Sequence, residues 1–384
     1  MKYLKNIITI FISILILLIF LHFIFHFQML RLVNQKILSR SILYNLDFYY
    51  HTFYPNVYDR DLKDIQFVLG DSYAMGQGDG WLYDEVNYST LHFLHKNNKK
   101  NYLNFGKPGG RSITSFREFF YRFNQINSSL FLPKVETPKE MIFFFYEGND
   151  LIDNYKFFKK NNKQNLPIKD FVYNEIENYE EYKLRKFNIY FPLITASKKI
   201  LLEKFIHHFY LPYARKKLEK ENLKKSNNEK KIEKIIINEI RFNNNILKID
   251  GNVENPGYFL NENELDISIN IFFDCLDYFK NKFPNTEITI LYIPSPASIY
   301  NWNINLKIRN ERNKINKISK NKILDKYNYI ISKFINYSTK NNIKFLNSTN
   351  KLREYAISEF LHGKHDKDHF NVKGYEILAN VIFE

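Results

Sequence analysis

Five short apolar runs, separated by longer stretches of helical period, set the architecture open to this chain. They lie at 65–69, 102–105, 141–146, 287–293 and 343–346. Runs of this length with little or no polar alternation read as strands buried on both faces. Helical patterns intervene at about 83–95, 115–127, 264–282 and 312–342. Short apolar strands alternating with helices predict an α/β fold: a three-layer α/β/α sandwich around a parallel sheet of about five strands. The closing segment, 371–383, places Val372, Tyr375, Ala379 and Ile382 on one helical face, with Asn371 in position to start the helix.

One interval breaks the rhythm. Residues 154–263 far exceed an ordinary connection, and are expected to form an inserted, mainly helical and charged subdomain. The stretch at 215–225 alternates Lys and Arg with Glu, the pattern of a solvated helix braced by i,i+4 pairs. A lid, or a face meeting anionic lipid or polysaccharide, is the functional alternative. Ile232, Ile235, Ile236 and Ile240 fall on one side of a continued helical pattern.

The N-terminus carries a different signal. Residues 7–25 form an apolar run interrupted only by Thr9, Ser13 and His22, with Lys2 and Lys5 before it. At 1.5 Å per residue such a run just spans a hydrocarbon core about 30 Å thick. The following Phe25-His26-Phe27-Gln28-Met29-Leu30 offers no small-residue cleavage site, so an uncleaved single-pass anchor over residues 1–29 is expected. Arg31, Lys36 and Arg40 beyond the span balance the lysines before it, and the charge rule does not choose an orientation. The usual N-in arrangement puts the domain on the extracytoplasmic side of the cytoplasmic membrane. An aromatic-rich stalk is expected at 30–61, followed by the main domain at 62–384.

Of the 384 residues 45% are apolar, enough for a large core. The net charge of +15 comes mostly from Lys spread through an Asn-, Ile- and Lys-rich chain. No zinc-finger spacing or nucleic-acid motif accompanies it, so nucleic acid is not an expected partner. A single cysteine, Cys275, rules out an internal disulfide and any Cys-based zinc site.

Four segments carry chemistry. Gly70-Asp71-Ser72-Tyr73 leaves the first strand at the carboxyl edge of the sheet, where open α/β folds place their sites. A serine hydroxyl needs a positioned base, and Asp366-Lys367-Asp368-His369 supplies one. Its spacing lets Asp366 reach one imidazole nitrogen while the other faces Ser72. Asn104-Phe105-Gly106-Lys107-Pro108-Gly109 follows the second strand, and Glu147-Gly148-Asn149-Asp150 follows the third. Asp71 is read as orienting the Ser72 loop and Asp150 as holding its own. The competing readings are a helix-capping turn at Ser72 and a metal cluster in His365-Asp366-Lys367-Asp368-His369. Gly76, Gly78 and Gly80 lack the phosphate-binding patterns and read as flexible backbone beside the serine. The Tyr292-Ile293-Pro294-Ser295-Pro296 segment is either a stiff connection or a wall of the substrate cleft.

Taken in order, these blocks resemble the SGNH (GDSL-type) hydrolases, over about residues 65–379 without the insertion. The resemblance implies a flavodoxin-like sandwich and an esterase or acyltransferase with no metal and no cofactor. It implies Ser72 as nucleophile, His369 as base and Asp366 as its orienting acid. The oxyanion donors it implies are the Ser72 and Gly109 backbone N–H groups and the Asn149 amide, with Gly106 and Gly110 as neighbouring candidates. The third block departs from the family pattern, with Glu147 at the first glycine position and Gly148 one place later. The function expected is hydrolysis or transfer of acyl, notably acetyl, esters on a cell-envelope glycan or lipid, through an acyl-Ser72 intermediate. The alternative is a non-catalytic envelope scaffold that binds glycan or a partner acyltransferase.

Overall fold

A computed structural model describes residues 6–17, 53–54, 65–82, 87–107, 109–128, 135–187, 237–243, 245–250, 257–309, 315–364 and 366–384. Its centre is a sheet of five parallel strands: β2 (Gln66–Leu69), β3 (Tyr102–Asn104), β4 (Glu140–Tyr146), β7 (Glu287–Ile293) and β10 (Lys344–Asn347). They lie in the order β3-β2-β4-β7-β10, the second-first-third-fourth-fifth order of a doubly wound open sheet. A two-residue strand β1 (Phe53–Tyr54) adds antiparallel to β3 at the edge. This part of the expected stalk therefore belongs to the sheet, while the rest of 30–61 lies outside the described residues.

Side chains alternate across the sheet with the period of two that a pleated strand imposes. Phe67, Leu69, Met141, Phe143, Phe145, Ile290 and Tyr292 enter one core, and Val68, Ile142, Phe144, Tyr146, Leu291 and Ile293 the other. The helices are α1 (Ser72–Met75), α2 (Asp79–Leu82), α3 (Thr90–Asn98), α4 (Ser112–Ser128), α5 (Asp150–Asn161), α6 (Ile168–Phe187), α7 (Glu262–Lys282), α8 (Pro296–Ile299), α9 (Lys320–Asn341), α10 (Thr349–Tyr355) and α11 (Val372–Phe383). α4, α6, α7 and most of the buried face of α9 cover the first core; α3, α10 and α11 cover the second.

Several helix boundaries differ from the sequence reading. The helix expected from about residue 83 begins at Thr90, where the Ser89 side chain accepts the His92 N–H. The pattern at 312–342 is a strand followed by a helix. β8 (Leu306–Arg309) and β9 (Ile315–Ile318) form an antiparallel hairpin, and α9 starts only after its Ser319 cap.

Within the expected insertion, the described residues pack on the main core and include strands as well as helices. α5 and α6 pack into the first core through Leu151, Phe171, Val172 and Ile176. Ile237–Phe242 and Asn245–Asp250 pair as a second antiparallel hairpin, β5–β6, so Ile240 is buried from a strand. Asn243, at φ 46°, makes the left-handed turn between them. Residues 215–225, like Ile232, Ile235 and Ile236, lie outside the described residues.

A helix covers residues 6–17, with Ile7, Phe11 and Ile16 more than half exposed. Among the described residues no helix is long and apolar enough to cross a membrane. The rest of the 7–25 run lies outside them.

Candidate active site

β2 and β4 approach each other so closely at Gly70 that a Cβ there would lie 2.7 Å from the Phe144 Cβ. Just beyond this point the chain turns into α1. The Asp71 carboxylate caps that turn by accepting the Tyr73 N–H at 2.9 Å, and Gly76 ends it in the left-handed region at φ 79°. Ser72 is thereby held at the head of a one-turn helix at the carboxyl end of β2. It sits at the switch point where the chain winds outward to β3 on one side and β4 on the other.

The structure brings Ser72, His369 and Asp366 together. The Ser72 Oγ lies 2.8 Å from His369 Nε2, and His369 Nδ1 lies 2.8 Å from Asp366 Oδ2. A carboxylate against Nδ1 fixes the proton there, so Nε2 carries the lone pair that faces the serine hydroxyl. Burial pushes the Asp366 carboxyl up, but the hydrogen bond and charge of His369, with two backbone N–H groups, outweigh it and hold it below the usual range. His365 lies outside the described residues. Among the described residues no group of three His, Cys, Asp or Glu side chains is arranged to hold a metal ion.

Sequence reasoning missed what fixes this loop. Asp79, in the glycine-flanked run read only as flexible backbone, accepts the Lys364 N–H at 2.6 Å and the Asp366 N–H at 2.8 Å. Gly78, at φ 139°, lets the chain pass close under the loop, where a Cβ would be 2.7 Å from the Phe370 carbonyl. Tyr73 adds a second tie: its hydroxyl donates to the Asp368 carbonyl at 2.7 Å, and its ring packs on His369 and Phe370. The signal available was a lone carboxylate between glycines seven residues after the serine. Its partners, nearly three hundred residues away, gave none.

Asn149 comes into the site from the end of β4. Its Nδ2 donates to Asp71 Oδ2 at 3.1 Å, which fixes the orientation of the amide. Asp71 therefore orients both the serine turn and the amide. Burial raises its carboxyl, opposed by the Tyr73 N–H, the charge of His369 and the Asn149 amide. Asp150 holds its loop by accepting the Tyr146 N–H at 2.9 Å.

The departure in the third block has a packing cause. A Cβ at position 148 would lie 2.3 Å from the Tyr146 ring, so glycine is required there. Glu147 is fully buried and turns away, accepting the Ser295 N–H at 2.7 Å and the Ser298 hydroxyl at 2.8 Å. Burial pushes its carboxyl up against those hydrogen bonds. Ser295 is itself fully buried, so the Pro294–Pro296 segment is a stiff connection locked to Glu147.

The second block is anchored rather than loose. Asn104 accepts the Gly106 N–H at 2.8 Å and donates to the Ala74 carbonyl at 2.9 Å, tying the β3 loop to α1. Gly106 presses on α1, where a Cβ would be 2.5 Å from the Met75 nitrogen. Gly109 is exposed, with φ +61° and open space around it, in a turn closed by the Gly110 N–H on the Lys107 carbonyl. Ser72, Gly109 and Asn149 thus follow three adjacent parallel strands at one edge of the sheet.

The fold and site together describe a doubly wound α/β protein with a Ser–His–Asp relay at its switch point. No protein-family model matches the chain, and no curated protein matches it.

Proposed function

We propose that the protein is an SGNH-type serine esterase or O-acyltransferase that acts on acyl esters, notably acetyl esters, of a cell-envelope glycan. The observation that carries the reading is the unbroken relay from Ser72 through His369 to Asp366, with 2.8 Å at each step. In the reaction His369 Nε2 takes the hydroxyl proton as Ser72 Oγ bonds to the ester carbonyl carbon. The Asn149 amide, with the backbone N–H groups of Ser72 and Gly109, stabilises the resulting oxyanion. Loss of one such donor typically costs about 100- to 1000-fold in rate. The ester C–O bond then breaks, the proton passes from Nε2 to the departing alkoxide, and acyl-Ser72 remains. Water or a sugar hydroxyl, deprotonated by the same nitrogen, attacks the acyl carbon and releases Ser72.

We also propose a single-pass cytoplasmic-membrane anchor at 7–25, with the catalytic domain on the extracytoplasmic side. The support is the helix over 6–17, whose long apolar side chains are exposed along its length.

The test is fluorophosphonate labelling and p-nitrophenyl acetate hydrolysis by the full chain in detergent, alongside Ser72→Ala. Labelling and turnover that vanish in the variant are expected. A folded wild-type protein that neither labels nor turns over would overturn the esterase reading and favour a scaffold.

A further inference from the structure

A second concave site lies between the β5–β6 hairpin and the helices α8, α9 and α10. The strand β5 is joined to the segment after α8 by the Arg241 N–H on the Asn301 carbonyl, the Asn303 N–H on the Glu239 carbonyl, and a bridge between Ile240 and Trp302. Between this seam and the helices α9 and α10 opens a cleft of about 750 Å³, within the size range of ligand sites. None of the Ser72, Asn149, Asp366 or His369 side chains lines it.

Its electrostatics are one-sided. Arg241, Lys320 and Arg353 face the cleft against a single carboxylate, Glu354. Each cation is steered by a neutral acceptor: Arg241 by the Asn303 amide oxygen at 2.9 Å, Lys320 by that of Asn301 at 2.7 Å, and Arg353 by the Ser298 carbonyl at 2.8 Å. Among the described residues none of the three makes an ion pair, so their charge is oriented but not neutralised. Asn243, Asn321 and Asn350 add amides that both donate and accept.

We propose that this cleft binds an acidic saccharide, a short stretch of glycan bearing carboxylate or other anionic groups. Oriented, uncompensated cations match the anionic groups, and the amides match hydroxyls. The lining sets apolar surface, including the exposed Leu324 and Ile357, beside the three cations, which suits the apolar ring faces and anionic groups of an acidic sugar better than a lipid chain. Stacking with bases is closed off, since Trp302 is only 2% exposed and its indole N–H is committed to the Ala297 carbonyl. One wall of the cleft is α8, whose Ser298, like the Ser295 that precedes the helix, is bound to Glu147, two residues before Asn149. The proposal stands without the esterase reading. If both hold, the cleft retains the glycan while its acyl groups are processed at Ser72.

The experiment is calorimetric titration of the full chain in detergent with trigalacturonate and, in parallel, neutral maltotriose. Binding of the acidic sugar alone is expected, weakening about tenfold or more in an Arg241→Gln/Lys320→Gln variant, a loss of roughly 1.4 kcal/mol. The thermal midpoint should not move, because both side chains are exposed. Asn350→Asp, which adds a carboxylate to the cleft, should weaken binding as well. Ser72→Ala should bind as the wild type does, whether or not it has lost activity. Equal binding of maltotriose, undiminished affinity in the cleft variants, or loss of binding in Ser72→Ala would each overturn the assignment. So would retention on phosphatidylglycerol vesicles with no response to trigalacturonate.

Discussion

The two faces of the central sheet are built from different aromatic residues. Among the described residues, the core under α4, α6 and α7 holds thirteen buried Phe and three buried Tyr. The opposite core, under α3, α10 and α11, holds three Phe and seven Tyr. The first face is ring against ring: Phe119 alone packs on Phe67, Phe105, Phe120, Phe123, Phe279 and Phe283. On the second face hydroxyl groups reach out of the core into loops. Tyr73 holds the Asp368 carbonyl, Tyr88 the Gly76 carbonyl and Tyr375 the Gln77 carbonyl, while Tyr300 bonds His362. A Tyr buries nearly the area of a Phe yet ends in a directional bond. One face therefore supplies stability, and the other supplies stability together with the placement of the site.

The largest test of that division is Phe119→Ala. Removing a fully buried ring should cost about 3–5 kcal/mol of unfolding free energy in denaturant titration. The rate of the proposed esterase reaction per folded molecule should stay close to wild type; a large fall in that rate would break the comparison.

Asp79→Ala comes next. Two backbone N–H groups of the Asp366 loop lose their acceptor, and misplacement of the relay should lower kcat about 100-fold with little change in KM. Asp79→Asn, which keeps one acceptor oxygen, should recover part of the rate. If KM rises and kcat holds, Asp79 does not position the relay.

Tyr73→Phe keeps the ring and removes the hydroxyl that donates to the Asp368 carbonyl. Stability should fall by about 1 kcal/mol, and kcat about tenfold or less as His369 loosens. An unchanged kcat would reduce the second face to a packing role.

A further pair of tests reads the pH slopes of stability, which have opposite signs. His362 is fully buried, and burial, aided by the charge of His369 and opposed by Asp366, lowers it from 6.5 to about 3. The unfolded chain then binds the extra proton between those values, so stability is lost as pH falls through that window. His362→Gln should flatten this loss in urea titrations run across the window. Glu147 is raised by burial, so the folded chain holds the extra proton above the ordinary value of 4.5. Its contribution is present below 4.5 and is lost as pH rises through the folded value. Glu147→Gln should flatten that decline, and a slope unchanged in both variants would place the titrating groups elsewhere.

How much could be read in advance differs from element to element. The strands β2, β4 and β7 were legible because a strand buried on both faces must be apolar nearly throughout. α11 was legible too, since its period and its Asn371 cap, which accepts the Gly374 N–H, are local. The β5–β6 and β8–β9 hairpins were not. In an Asn-, Lys- and Ile-rich stretch the same residues suit helix and strand. Ile240 took the strand because it bridges to Trp302, sixty-two residues away. The roles of Asp79 and Glu147 were hidden for the same reason, their partners being distant backbone groups that leave no mark in local spacing.

The sequence by itself determined the parallel α/β sheet and the order of the four blocks along the chain. Burial and helical period are written in neighbouring residues, and the spacing of Asp366 and His369 permits their pairing. Tertiary structure decided that Ser72 and His369 meet at 2.8 Å, that Asp79 holds the Asp366 loop, and that the β5–β6 hairpin and α8 to α10 enclose a basic cleft. Those outcomes depend on contacts between distant segments, which exist only once the sheet has brought its carboxyl edge together.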